Sequence, residues 1–156
     1  MKVEKLLEQA QQKCQQAGVR FTDKRSQVLK TLLIAKQPLS AYELLDLYNK
    51  QAEQSMQAMS AYRILDLFVE LNLIHKLTSS NKYIACAHLA CQHAHHDQYF
   101  VVCNHCGETR EVDIPQPLLA QLEKSVADAG FYLQRTQFEL DCLCNGCRAA
   151  LETPSE

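Results

Sequence analysis

Leu6, Leu7, Ala10, Cys14 and Ala17 repeat at three- and four-residue intervals and predict a helix over 2–17, which Gly18 ends. Thr22 and Asp23 can cap a second helix, whose Val28, Leu29, Leu32 and Leu33 share one face until Pro38 interrupts the segment. A third starts at Ser40, where Glu43 stands at the spacing of a capping box, and runs to about Lys50. The fourth covers 56–71, with Ile64, Leu65, Phe68 and Leu71 turned inward and Met59, Tyr62, Arg63 and Asp66 outward. Strands over 73–78 and 82–86 flank the polar turn Ser79-Ser80-Asn81 and predict a β-hairpin. Helices followed by such a hairpin describe a winged helix-turn-helix domain over 1–86.

Beyond it the periodicity changes. Residues 87–95 have no clear repeat and read as a hinge or linker. Strands over 99–102 and 109–114 surround a Cys-Asn-His-Cys-Gly turn, a helix over 117–129 ends at Gly130, and a strand covers 131–140. The predicted fold class is therefore α+β, an N-terminal winged helix-turn-helix domain followed by a small α+β unit over 96–156. A unit of about 60 residues buries little apolar surface, so a structural metal, a partner subunit or both are expected to hold it together.

With 156 residues, 47% hydrophobic, 22% charged, and only four Gly and four Pro, disordered and fibrous architectures are excluded. The longest aliphatic run, Leu32 to Ala35, is four residues, against the ~20 a membrane span needs. The Gln-rich start also lacks a signal-peptide core, so a soluble cytoplasmic protein with no membrane partner is expected. The net charge of −2 conceals an asymmetry: residues 1–84 carry 12 Lys+Arg against 8 Asp+Glu, and residues 85–156 carry 4 against 10. The front half suits a polyanion and the back half does not.

Eight cysteines without an export signal are expected as thiols, and clustered thiols in a reducing compartment point to metal. Cys103-Asn-His-Cys106 and Cys144-Asn-Gly-Cys147 are two Cys-x-x-Cys pairs. Two thiolates three positions apart in a tight turn can converge on one tetrahedral ion at ~2.3 Å, and two such turns complete a four-thiolate structural zinc site. Cys142 could replace Cys144 as a ligand, although the spacing favours Cys144. A pair of redox dithiols, or thiols with no connection, is the alternative. A looser group comprises His75, Cys86, His93, His95, His96, Asp97 and Glu111. Singly, His75 is an ordinary packed or surface histidine and Cys86 a small core hydrophobe; together they offer sulfur, nitrogen and oxygen donors able to hold zinc.

Tyr62 and Arg63 lie near the start of the fourth helix on its outward side, where a recognition helix presents base-reading side chains. Asp66 and Glu70 further along would repel phosphate and confine contact to the N-terminal part. Lys24, Arg25 and Tyr42, at the two preceding helix starts, could reach phosphates, although scattered charges of this kind also make an ordinary solvated face. A hydrolytic zinc enzyme built on His95, His96 and Glu111 would need an open coordination position, and neither a HExxH motif nor an oxyanion hole accompanies these residues. Neither an enzyme nor a small-molecule substrate is expected.

Val19-Arg20-Phe21-Thr22-Asp23-Lys24-Arg25, Ala61-Tyr62-Arg63-Ile64-Leu65, His95-His96-Asp97 and the two Cys-x-x-Cys pairs, in this order and over nearly the whole chain, resemble the ferric uptake regulator family of bacterial metal-sensing repressors. The stretch from Ser40 to Asp46, and Ile74-His75-Lys76 with Tyr83-x-x-Cys86, are similar to its zinc uptake regulator branch. The resemblance implies a homodimer that binds double-stranded operator DNA through the winged-helix domain over 1–86, pairs through a dimerisation and zinc-binding domain over 96–156, and represses zinc-acquisition genes when zinc is plentiful. It also implies one structural and one regulatory Zn²⁺ per chain. Carried onto matching positions, the structural ligands are Cys103, Cys106, Cys144 and Cys147, and the regulatory ligands are His75, Cys86, His96 and Glu111. Tyr42 and Arg63 match positions that read DNA, with Tyr62 beside them.

Three departures qualify the resemblance. Met59-Ser60-Ala61-Tyr62 stands where the family commonly has Pro-Thr-Val-Tyr. His88, Cys91, His93 and His95 offer further ligands, and Gln98 replaces the last His of the His-His-Asp-His run of iron-sensing members. The alternative function is a sibling regulator sensing iron, manganese or peroxide.

Overall fold

In the computed structural model, which describes residues 2–86, 89, 97–134 and 136–153, the chain divides into two units, Met1–His93 and Ala94–Glu156. The first contains helices α1 (Lys2–Gln16), α2 (Asp23–Ala35), α3 (Ala41–Gln51) and α4 (Ala58–Glu70), then strands β1 (Ile74–Leu77) and β2 (Lys82–Ala85). Gly18 ends α1 at φ +70°, a conformation that costs glycine little, and the Val19 and Gly18 amides donate to the Cys14 and Gln15 carbonyls at 2.8 and 3.1 Å. The expected capping box is present at α3: the Glu43 amide donates to Ser40 Oγ at 3.1 Å and the Ser40 amide to Glu43 Oε2 at 2.7 Å. Lys82 Nζ adds a contact to Glu43 at 3.1 Å, and the Ser40 amide and this ammonium hold the carboxyl below the usual carboxylate range.

α4 begins two residues later than its periodicity predicts. Met56 is a buried anchor outside the helix, its amide bound by Asn49 Oδ1 at 2.8 Å and its carbonyl by Asn49 Nδ2 at 3.4 Å. Between the helices lies a core that includes Val28, Leu29, Leu44, Ala61, Leu65, Phe68 and Leu73, each larger side chain contributing about 1.5–3 kcal/mol by leaving water. The wing pairs His75 with Ile84 and Leu77 with Lys82 around the predicted turn. A bridge between Leu39 and Tyr83, with amide bonds of 2.9 and 2.7 Å, ties it to the segment before α3. Leu89, inside the stretch read as a linker, is buried in this core; the rest of 87–95 lies outside the described residues.

The second unit runs β3 (Asp97–Cys103), β4 (Thr109–Glu111), α5 (Gln116–Asp128), β5 (Thr136–Cys142) and α6 (Asn145–Glu152). Its sheet has the order β4-β3-β5, with β4 antiparallel and β5 parallel to β3. Gly130, at φ +84°, ends α5, its amide and that of Phe131 donating to Ala127 and Val126. The final strand starts later and ends later than the apolar run from Phe131 suggests. Phe131 and Tyr132 are exposed, and pairing with β3 from Asp97 to Cys103 sets the strand at 136–142. Helix α6 has no counterpart in the sequence pattern, because Gly146 in its first turn obscures a run of helix formers and the Arg148–Glu152 pair at i, i+4.

Candidate metal centre and nucleic-acid interface

Parallel pairing of β3 with β5 sends the chain out of both strands at the same end of the sheet, with Cys103 opposite Cys142, and a Cys-x-x-Cys turn lies at each exit. After β3 the turn closes through Cys103 N–H to the Glu108 carbonyl at 2.8 Å and Gly107 N–H to the Cys103 carbonyl at 2.9 Å. After β5, Cys144 caps α6, its Sγ accepting the Cys147 amide at 3.4 Å while its own amide points at Cys103 Sγ at 3.4 Å. The capping role of Cys144 escapes motif reading, which registers only the spacing.

The sulfurs of Cys103, Cys106, Cys144 and Cys147 all lie within 4.8 Å of one another, and Cys106 and Cys144 are 3.8 Å apart. Ligands ~2.3 Å from one tetrahedral ion stand about 3.8 Å apart, so the spacing fits zinc. Cys142 is outside this group; its carbonyl accepts the Asn104 amide at 3.0 Å. The donor chemistry fits as well. Amides of Cys106 and Cys144 aimed at Cys103 pull its thiol down to about 6. The adjacent Cys144 sulfur, followed by burial, pushes Cys147 up to about 12. One sulfur is thus prepared to ionise while its neighbours resist a second negative charge, and a dication at the centre removes that conflict. None of the seven described cysteines is in a disulfide.

In the first unit, His75 on β1 and Cys86 just after β2 are both buried, and a ring nitrogen of His75 lies within 4.8 Å of Cys86 Sγ. The Cys86 amide donates to the Leu73 carbonyl at 3.0 Å, which fixes the residue beside the wing. In the second unit, Glu111 ends β4 opposite Phe100 and is half-buried. His96, with His88, Cys91, His93 and His95, lies outside the described residues.

Tyr42, the second residue of α3, is exposed, and its ring meets Tyr62 of α4 edge-on at 6.4 Å between centroids. Arg63 is exposed next to it. Lys24 is exposed at the start of α2, while Arg25 is half-buried, its guanidinium donating to the Arg20 carbonyl and its amide to Thr22 Oγ1 at 3.3 Å. α3 and α4 thus bring Tyr42 and Tyr62 into contact, exposed Arg63 follows Tyr62 on α4, and Arg25 is partly engaged by its own loop.

The sequence profile of the ferric uptake regulator family matches residues 16–141. The chain belongs to the ferric uptake regulator family. Among members of this family, the zinc uptake regulation protein of Escherichia coli (strain K12) is 34% identical over 144 residues, covering 92% of this chain and 82% of that protein. The structure of a zinc uptake regulator complexed with zinc and DNA matches with a TM-score of 0.84 at 29% identity, covering 98% of this chain and 99% of the other. Holo XcZur matches with a TM-score of 0.73 at 30% identity, covering 92% and 96%. No helix among the described residues is long and apolar enough to cross a membrane.

Proposed function

We propose that this ferric uptake regulator family member is a cytoplasmic, zinc-responsive transcriptional repressor that binds operator DNA as a zinc-loaded homodimer, silences zinc-uptake genes and catalyses no reaction. The observation that carries the reading is the buried His75–Cys86 pair beside the wing. Sulfur and imidazole donors favour zinc, whereas manganese prefers oxygen. Relatives named for zinc uptake regulation, one of them bound to zinc and DNA, support the same reading.

Cys103, Cys106, Cys144 and Cys147 would hold a permanent ion, since four thiolates leave a formal charge of about −2 around Zn²⁺ and bind it tightly. His75, Cys86, His96 and Glu111 would hold the exchangeable one, a set whose charges cancel that of the ion. Because these ligands come from both units, holding them together removes an ordering cost otherwise met on DNA. The coupling is reciprocal: operator DNA tightens zinc binding by the same factor, typically ~1–3 kcal/mol. Arg63, Tyr42 and Tyr62 would face base edges, and Lys24 and Arg25 the phosphates.

The deciding test is operator binding titrated with zinc, iron and manganese in chelator-buffered solution. Binding should appear with zinc at far lower free metal than with the others; equal or better support from iron or manganese would assign a sibling sensor instead. Arg63→Ala should lower operator affinity by about 1–3 kcal/mol with zinc content per chain unchanged. Wild-type affinity at fixed salt would exclude α4 as the reading helix.

A further inference from the structure

Met59 has no task in the reading above. α4 buries Ala61, Ile64, Leu65 and Phe68, yet Met59 in its first turn is 64% exposed, whereas Met56 just before the helix is 4% exposed. Met59, Tyr62 and Arg63 stand at i, i+3 and i+4 and form one strip of the helix surface. Tyr42 extends that strip from α3, through its edge contact with Tyr62. Holding a flexible thioether in water does nothing for the core. The strip belongs to the half of the chain with excess positive charge.

In the major groove, base edges present hydrogen-bond donors and acceptors, and thymine adds an apolar 5-methyl group. An unbranched, polarisable side chain at the entering end of a recognition helix is suited to that methyl. We infer that Met59 is a specificity-determining residue that packs on a thymine 5-methyl in the major groove. The inference rests on the DNA reading proposed above. Four helical residues rise about 6 Å, so the thymine falls within about two base steps of the pair addressed by Arg63.

The test uses the zinc-loaded, full-length protein to recover duplexes from a random pool. The recovered consensus is then synthesised with each thymine in turn replaced by deoxyuridine, which removes only the methyl. Wild type should lose roughly fourfold in affinity per half-site at one thymine, the value of one buried methyl group. Met59→Ala should lose at least that factor on the thymine duplex and be indifferent to deoxyuridine there, while Met59→Leu keeps the sensitivity. Unchanged zinc content and Tm establish that the alanine variant is folded, and the deoxyuridine series on wild type needs no variant. Indifference of wild type to every deoxyuridine, or undiminished sensitivity in Met59→Ala, overturns the assignment while leaving zinc-dependent binding intact. Failure of the zinc-loaded protein to recover any duplex would instead overturn the DNA reading, and the Met59 assignment with it.

Discussion

Cys86→Ser should keep one zinc per chain and the dimer while losing zinc-dependent operator binding. The side chain is 3% exposed and its backbone is anchored to Leu73, so the near-isosteric hydroxyl leaves the wing in place. What disappears is the sulfur donor beside His75. A neutral hydroxyl binds zinc poorly at physiological pH. Since disturbing groups that merely orient metal ligands costs 10- to 100-fold, losing a ligand itself should lower zinc affinity by roughly 100-fold or more. Zinc counting before and after mild chelation, with operator binding followed in parallel, makes the measurement. Full zinc-responsive repression by the mutant would remove Cys86 from sensing.

The second change acts on the fold instead. Cys106→Ser alters an exposed side chain, so no cavity opens, yet it removes one of four converging sulfurs. Among the described residues, the buried apolar side chains of the second unit are Tyr99, Phe100, Cys103 and Leu119. With so few buried apolar side chains, a unit of this size needs a further tie to hold its fold. Structural zinc contributes about 10–16 kcal/mol in small zinc-dependent domains at neutral pH. The variant should therefore purify without the retained ion, lose protease resistance over the second unit and fail to dimerise. A folded, zinc-free dimer would show that the four sulfurs are not the structural centre. The contrast with Cys86→Ser separates the two centres: one loss leaves the protein folded and unresponsive, the other unfolds half of it.

Local chemistry made much of this legible in sequence. Ser40 with Glu43, Thr22 before Asp23, and Gly18 and Gly130 mark helix ends through bonds formed within one turn, and those ends lie where their residues require. The two Cys-x-x-Cys turns were equally readable, because each is a local loop. The parallel register that brings the turns together joins residues some 40 positions apart and leaves no periodic trace. The same reason explains why β5 was placed too early: Phe131 and Leu133 mimic a strand, but pairing with β3 decides where it starts. Met56 misled in the opposite way, an apolar residue continuing the stripe of α4 while Asn49 holds its backbone outside the helix. For His75 and Cys86, residue types alone do not tell two ligands from two core residues; the wing register and the Cys86–Leu73 bond place them side by side.

The shared exit of β3 and β5 also bears on what an ion between the two turns would do for the second unit. Cys106 and Cys144 are 38 positions apart, and an ion bound between them would close that loop as a disulfide would. For a loop of this length, the chain-entropy model gives a covalent tie about 4 kcal/mol. A thiolate–zinc staple supplies the same constraint without an oxidant and stands up to the glutathione that would open a sulfur–sulfur bond.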